Sequence, residues 1–171
     1  MRKIDRLTRL NKLIEILDLH IKARKKPAKL NGKSAFFEMN YWQIIRDPSN
    51  QYTTDDTCHT SACALGSCAM NPWFKRRGLK LVPDGANNLV PDGANNDVAT
   101  HLGLHCRSQI TAKVAFKDGT ENYNAAETFF GITYAEAEWI FYPEEYTASN
   151  ITPAMVKKRV KQLIRKYSEE N

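Results

Sequence analysis

Apolar residues in the first 23 positions fall at Ile4, Leu7, Leu10, Leu13, Ile14, Leu17 and Ile21. Intervals of three and four draw one stripe along a helix. Arg2, Lys3, Arg6, Arg9, Lys12 and Glu15 fall largely off that stripe. Such a helix either joins the core or pairs with the same helix of a second copy, which leaves a homodimer open. Residues 24–34 are basic and carry Pro27 and Asn31-Gly32, so they read as a linker. Phe36, Phe37, Met39, Tyr41, Trp42, Ile44 and Ile45 then form a dense apolar cluster that ends at Asp47-Pro48. It predicts a short helix or a strand–helix segment plugging the core.

The second half is better punctuated. Ile110, Ala112, Val114 and Phe116 alternate with other residues, and Lys117-Asp118-Gly119-Thr120 follows as a turn. That predicts one strand of a small hairpin, with Leu79–Val82 or Glu121–Tyr123 as its partner. Asn124–Phe130 reads as a short helix closed by Gly131. Thr133 and Glu136 make a capping box for the next helix, which buries Ala137, Ile140 and Phe141 and stops at Pro143. Thr152-Pro153 opens the last helix, which runs to about Tyr167 with Val156, Val160, Leu163, Ile164 and Tyr167 inward. These elements predict one α+β domain over residues 1–171, mostly helical, with one small β-hairpin and a core over 35–167.

Leu81–Asn88 reads LVPDGANN, and Leu89–Asn96 repeats it at every position. A solenoid needs at least three larger units, so residues 81–97 read as a duplicated surface loop. The Asp and Asn oxygens lack the calcium-loop spacing and its terminal Glu. Asp97–Cys106 follows as a short helix capped by Asp97.

Composition narrows the class. At 171 residues and 42% hydrophobic content the chain has enough apolar mass for one core. Its net charge of +6 suits an anionic partner, nucleic acid among them, through the basic linker and the cations of the last helix. No helix-turn-helix, zinc-finger or RNA-binding signature accompanies those cations. No run approaches the ~20 apolar residues of a membrane span, and no signal peptide is legible. The expectation is a cytosolic protein with reduced thiols, no membrane partner and no cofactor.

Chemistry concentrates in Cys58–Phe74, CHTSACALGSCAMNPWF, which holds three of the four cysteines, a histidine and a run of small residues. Ser61, Ala62, Ala64, Gly66, Ser67 and Ala69 suit a short helix whose backbone is closely approached by another helix, a ligand or an aromatic ring. Trp42, Cys58, His59, Thr60, Cys63, Gly66, Trp73 and Phe74 are the binding candidates. Cys58 or Cys63 near a helix N-terminus, with His59 as base, is the nucleophile alternative, because exposed amides favour a thiolate. Cys58, Cys63 and Cys68 stand five apart, about 140° around a helix, so they cannot converge from one helix. A zinc site would need Cys58 and Cys63 with His101 and His105, which share a helical face. Against both stands the reading of the thiols as small buried packing groups, with no catalytic residue and no metal.

The same stretch resembles a set of uncharacterised phage and bacterial proteins with a Cys-Gly-Thr-x-Ala-Cys-Ala-Leu-Gly pattern. The matching residues are Cys58, Thr60, Ala62, Cys63, Ala64, Leu65 and Gly66, then Pro72, Phe74 and Gly78-Leu79. Phe129-Phe130-Gly131-Ile132-Thr133, Glu136-Ala137, Phe141, Pro143, Tyr146 and Thr152-Pro153 follow in the same order. His59 replaces the pattern's glycine, and Ser67 replaces its usual aromatic or histidine. The resemblance brings no function with it; the expectation is a small accessory protein of phage or mobile-element type. The expected role is non-enzymatic binding of a host protein or a small ligand, including a nucleotide-like one, in the manner of a counter-defence factor. A Cys/His-dependent or zinc enzyme and a nucleic-acid-binding accessory are the alternatives.

Overall fold

The computed structural model describes residues 3–24, 26–30, 34–39, 43–47, 59–83, 108–148 and 150–170. Helix α1, Lys3–Ala23, lays Leu10, Leu13, Ile16 and Leu17 into the core. Its apolar stripe is rotated slightly from the sequence reading: Ile16 and His20 are buried, while Ile21 is 37% exposed. The final helix, Pro153–Glu169, is its main neighbour. Lys157 pairs with Asp18 between them, and the Arg6 guanidinium lies 4.0 Å from the centre of the Tyr167 ring. Core packing therefore accounts for the stripe on α1.

Among the described residues six strands form one mixed sheet in the order β1-β2-β4-β3-β6-β5. They are β1 Ala28–Lys29, β2 Ser34–Phe37, β3 Gln43–Asp47, β4 His59–Ala62, β5 Lys80–Pro83 and β6 Ser108–Ala115. Strands β2 and β4 run parallel, with Phe36 opposite Ser61, and every other pairing is antiparallel. The α+β class holds, and helices outweigh strands among the described residues. The expected hairpin is there too, with both suggested partners engaged: β6 pairs with β5 through Val114 and Leu81, and Ala115 bridges to Glu121.

Beyond that hairpin the sheet extends where the sequence reading placed other things. The linker holds edge strand β1 and buries Ala28 and Leu30, because two apolar residues among the cations suffice to anchor it. The cluster read as a helix or strand–helix segment is the strand pair β2 and β3, separated in the sheet by β4. The first residues of the duplicated segment, Leu81–Pro83, belong to β5 rather than to a loop. The rest of the duplication and the helix expected over 97–106 lie outside the described residues.

The C-terminal elements follow their local signals. Helix α4, Asn122–Phe130, ends on Gly131 at φ 66°, a left-handed turn that glycine takes without strain. Helix α5, Tyr134–Phe141, carries the complete Thr133–Glu136 capping box. A 3₁₀ turn, Pro143–Glu145, leads to Thr152, whose hydroxyl caps α6, the final helix. Burial opposes ionisation of Glu136, but hydrogen bonds from Lys166, Tyr167 and the Thr133 N–H outweigh it and hold the carboxyl below its usual range.

Candidate functional site

Cys63 is where strand becomes helix. Extended at φ −70° and ψ 178°, it ends β4 and caps α2, Ala64–Met70, and its Sγ accepts the Gly66 N–H at 3.3 Å. Every residue of α2 is buried, because the helix lies between α1 and strands β2, β4, β5 and β6. Small side chains let those backbones approach, which explains the run of Ala, Gly and Ser. Asn71 then closes α2 through its own N–H to Cys68 O and opens α3, Pro72–Lys75, by accepting the Trp73 N–H at 2.9 Å. Gly78, at φ 94°, turns the chain out of α3: its N–H reaches Lys75 O, and the Leu79 N–H reaches Phe74 O.

Burial decides the chemistry of the two described cysteines. Cys63 is 1% exposed, and burial pushes its thiol up to about 12 despite the helix-terminus amides. Desolvation therefore opposes the thiolate that the amides at this helix start favour. Cys68, fully buried, is pushed well above its usual value by burial and by Cys63. Both are free thiols. Among the described residues no group of three metal-ligating side chains converges. Trp42, Cys58, His101 and His105 lie outside the described residues, as do the side chains of His59 and Thr60 within β4.

Of the other binding candidates, Gly66 and Phe74 are interior. Phe74 stacks with Phe129 at 5.6 Å and Phe130 at 6.2 Å, in a cluster that continues to Phe116 and Phe141. Trp73 is half-buried, and the Arg77 guanidinium lies 3.7 Å from its ring centre while donating to Trp73 O. Lys75, Arg76 and Arg77 are exposed beside it.

A polar pair at the heart of the stretch escaped the sequence reading. His20 of α1 meets Ser67 of α2, Nε2 to Oγ at 2.9 Å, both buried, with Phe37 edge-on to the imidazole at 5.3 Å. Burial holds His20 down to about 4, so it stays neutral at ordinary pH. The signal was present: His20 stands three residues past Leu17 and seven past Leu13, on the apolar stripe. Comparison with family models, curated proteins and solved structures returned no match. Among the described residues no helix is long and apolar enough to cross a membrane.

Proposed function

We propose that this is a small non-enzymatic binding protein of phage or mobile-element type, acting in the cytoplasm on a host protein or a small nucleotide-like ligand, in a counter-defence role. One observation carries the reading: Cys63, Ser67 and Cys68 of the signature stretch, with His20 of α1, are enclosed in the core, while Trp73 and its cations reach the surface. A half-buried aromatic flanked by Lys75, Arg76 and Arg77 suits a planar anionic group. The resemblance to the phage and bacterial pattern supports the biological setting.

Titration with ATP and with a polyglutamate peptide, followed by tryptophan fluorescence, tests it. At least one probe should quench saturably, Trp73→Phe should remove the response, and the nucleotide should be recovered intact. Hydrolysed nucleotide would favour the Cys/His or zinc enzyme alternative, and a response indifferent to Trp73→Phe would reject this edge. A nucleic-acid accessory is the second reading, favoured by the same cations. It requires affinity for a single-stranded oligonucleotide that falls steeply and linearly in log–log form with salt.

A further inference from the structure

The cations of this chain are unevenly matched. Lys113 is held by Glu121, Lys157 by Asp18 and Lys166 by Glu136. Among the described residues, Arg9 of α1, Arg77 beyond α3 and Lys117 beyond β6 enter no ion pair. Arg77 and Lys117 are exposed and Arg9 is half-buried.

The fold brings these three segments together. The stem of Lys117 lies against the backbone of Gly78, one residue after Arg77: a Cβ at Gly78 would stand 3.0 Å from Lys117 Cβ. The Lys117 ammonium is 5.7 Å from the centre of the Phe116 ring. Phe116 meets Phe129 at 5.7 Å, and the Arg9 guanidinium sits 4.5 Å from the Phe129 ring centre while donating to Phe129 O. Phe129 meets Phe74 at 5.6 Å, and Phe74 meets Trp73, which carries Arg77, at 4.9 Å. Lys117, Arg9 and Arg77 therefore ride on one continuous aromatic cluster. Burial lowers the Arg9 guanidinium, Asp5 opposes the change, and the charge of Arg77 adds to it.

Both guanidiniums are oriented before any anion arrives. Arg9 gives one N–H group to Phe129 O and Arg77 one to Trp73 O, and each lies over a ring. Their remaining donors keep the fork that matches phosphate oxygens. Asp118, next to Lys117, turns its Oδ1 to the Thr120 N–H and hydroxyl at 3.0 and 2.7 Å. The cations follow one another along the cluster instead of meeting at a point, which suits successive phosphates rather than a single anionic group.

We infer that the Trp73 edge takes a nucleoside polyphosphate, its base against the Trp73–Arg77 stack and its phosphates running on to Arg9 and Lys117. The inference rests on the reading of that edge as a binding surface, and it adds the ligand class and the residues that recognise its phosphates.

The experiment titrates the full chain with AMP, ADP, ATP and a deoxythymidine dodecamer, read by calorimetry. Affinity should rise severalfold at each added phosphate. Lys117→Gln and Arg9→Gln should each weaken ATP by about tenfold, the worth of a hydrogen bond to a charged group, and AMP far less. Lys158→Gln removes the same charge from an exposed position on α6 and should change ATP affinity by less than about twofold. Melting curves verify the fold, and Lys117→Gln carries the test if Arg9→Gln unfolds, because Lys117 is exposed. Equal affinity for AMP and ATP, equal effects of Lys117→Gln and Lys158→Gln, or tighter binding of the dodecamer than of ATP would each overturn the assignment. If Lys117→Gln binds ATP like the wild type while Trp73→Phe still removes the fluorescence response, the phosphate path fails and the Trp73 edge stands. Silence with every nucleotide, beside a Trp73-dependent response to polyglutamate, would have the same meaning. Silence with every probe would reject both.

Discussion

The stretch Cys63–Phe74 and the rim Tyr123–Tyr142 invert what their residue types suggest. The first holds cysteines, a serine beside a histidine and a helix start, the ingredients of covalent chemistry, yet Cys63, Ser67, Cys68 and Phe74 are all at most 1% exposed. The second holds tyrosines, asparagines and glutamates with no signature spacing, yet Tyr123, Asn124 and Tyr134 line an open depression. Reactivity and recognition follow solvation rather than residue type: burial raised the Cys63 thiol and lowered His20, whereas exposure leaves Tyr134 available.

The sharpest way to break this contrast is at Phe74. Fully buried and at the centre of the phenylalanine cluster, it should cost about 4 kcal/mol when cut to alanine. Trp73→Ala, one residue earlier and half-buried, should cost distinctly less. Equal urea-unfolding losses at the two positions would mean that Trp73 is core rather than edge.

His20 gives the next largest effect. The unfolded chain takes up a proton near pH 6.5 and the folded one only near 4, so the stability held by neutral His20 is complete above pH 6.5. It should be lost as pH falls through that window, by on the order of 3 kcal/mol at pH 4. Carboxylates titrate in the same range, so the readout is the difference between wild type and His20→Gln. Parallel stability–pH curves for the two would place His20 in contact with water.

The two cysteines should separate from each other by about 1 kcal/mol. Cys63 Sγ accepts the Gly66 N–H, so Cys63→Ser keeps a cap that Cys63→Ala removes, and serine should be the milder change. At Cys68, which carries no cap, the order should reverse, because a hydroxyl is harder to bury than a methyl. Neither thiol should react with a disulfide reagent at neutral pH without unfolding. Fast modification of Cys63, located by mass spectrometry, would return the stretch to chemistry. The smallest effect belongs to the rim: Tyr134→Phe and Tyr134→Ala should each alter stability by less than about 0.5 kcal/mol. A larger loss would show the tyrosines to be structural.

The sequence by itself determined α1, the Thr133–Glu136 capping box, the Gly131 stop, the Thr152-Pro153 start and the β6 alternation with its partners. Those signals sit within four residues of one another, or in one turn, so short-range sterics and hydrogen bonds suffice to read them. Tertiary structure alone decided that β4 inserts between β2 and β3, and that Ala28 and Leu30 leave a basic segment for the core. It also decided that α2 vanishes between the sheet and α1, and that His20 finds Ser67 across 47 residues. Strand order and burial are set by partners far along the chain, and a side chain's chemistry depends on whether those partners leave it any water.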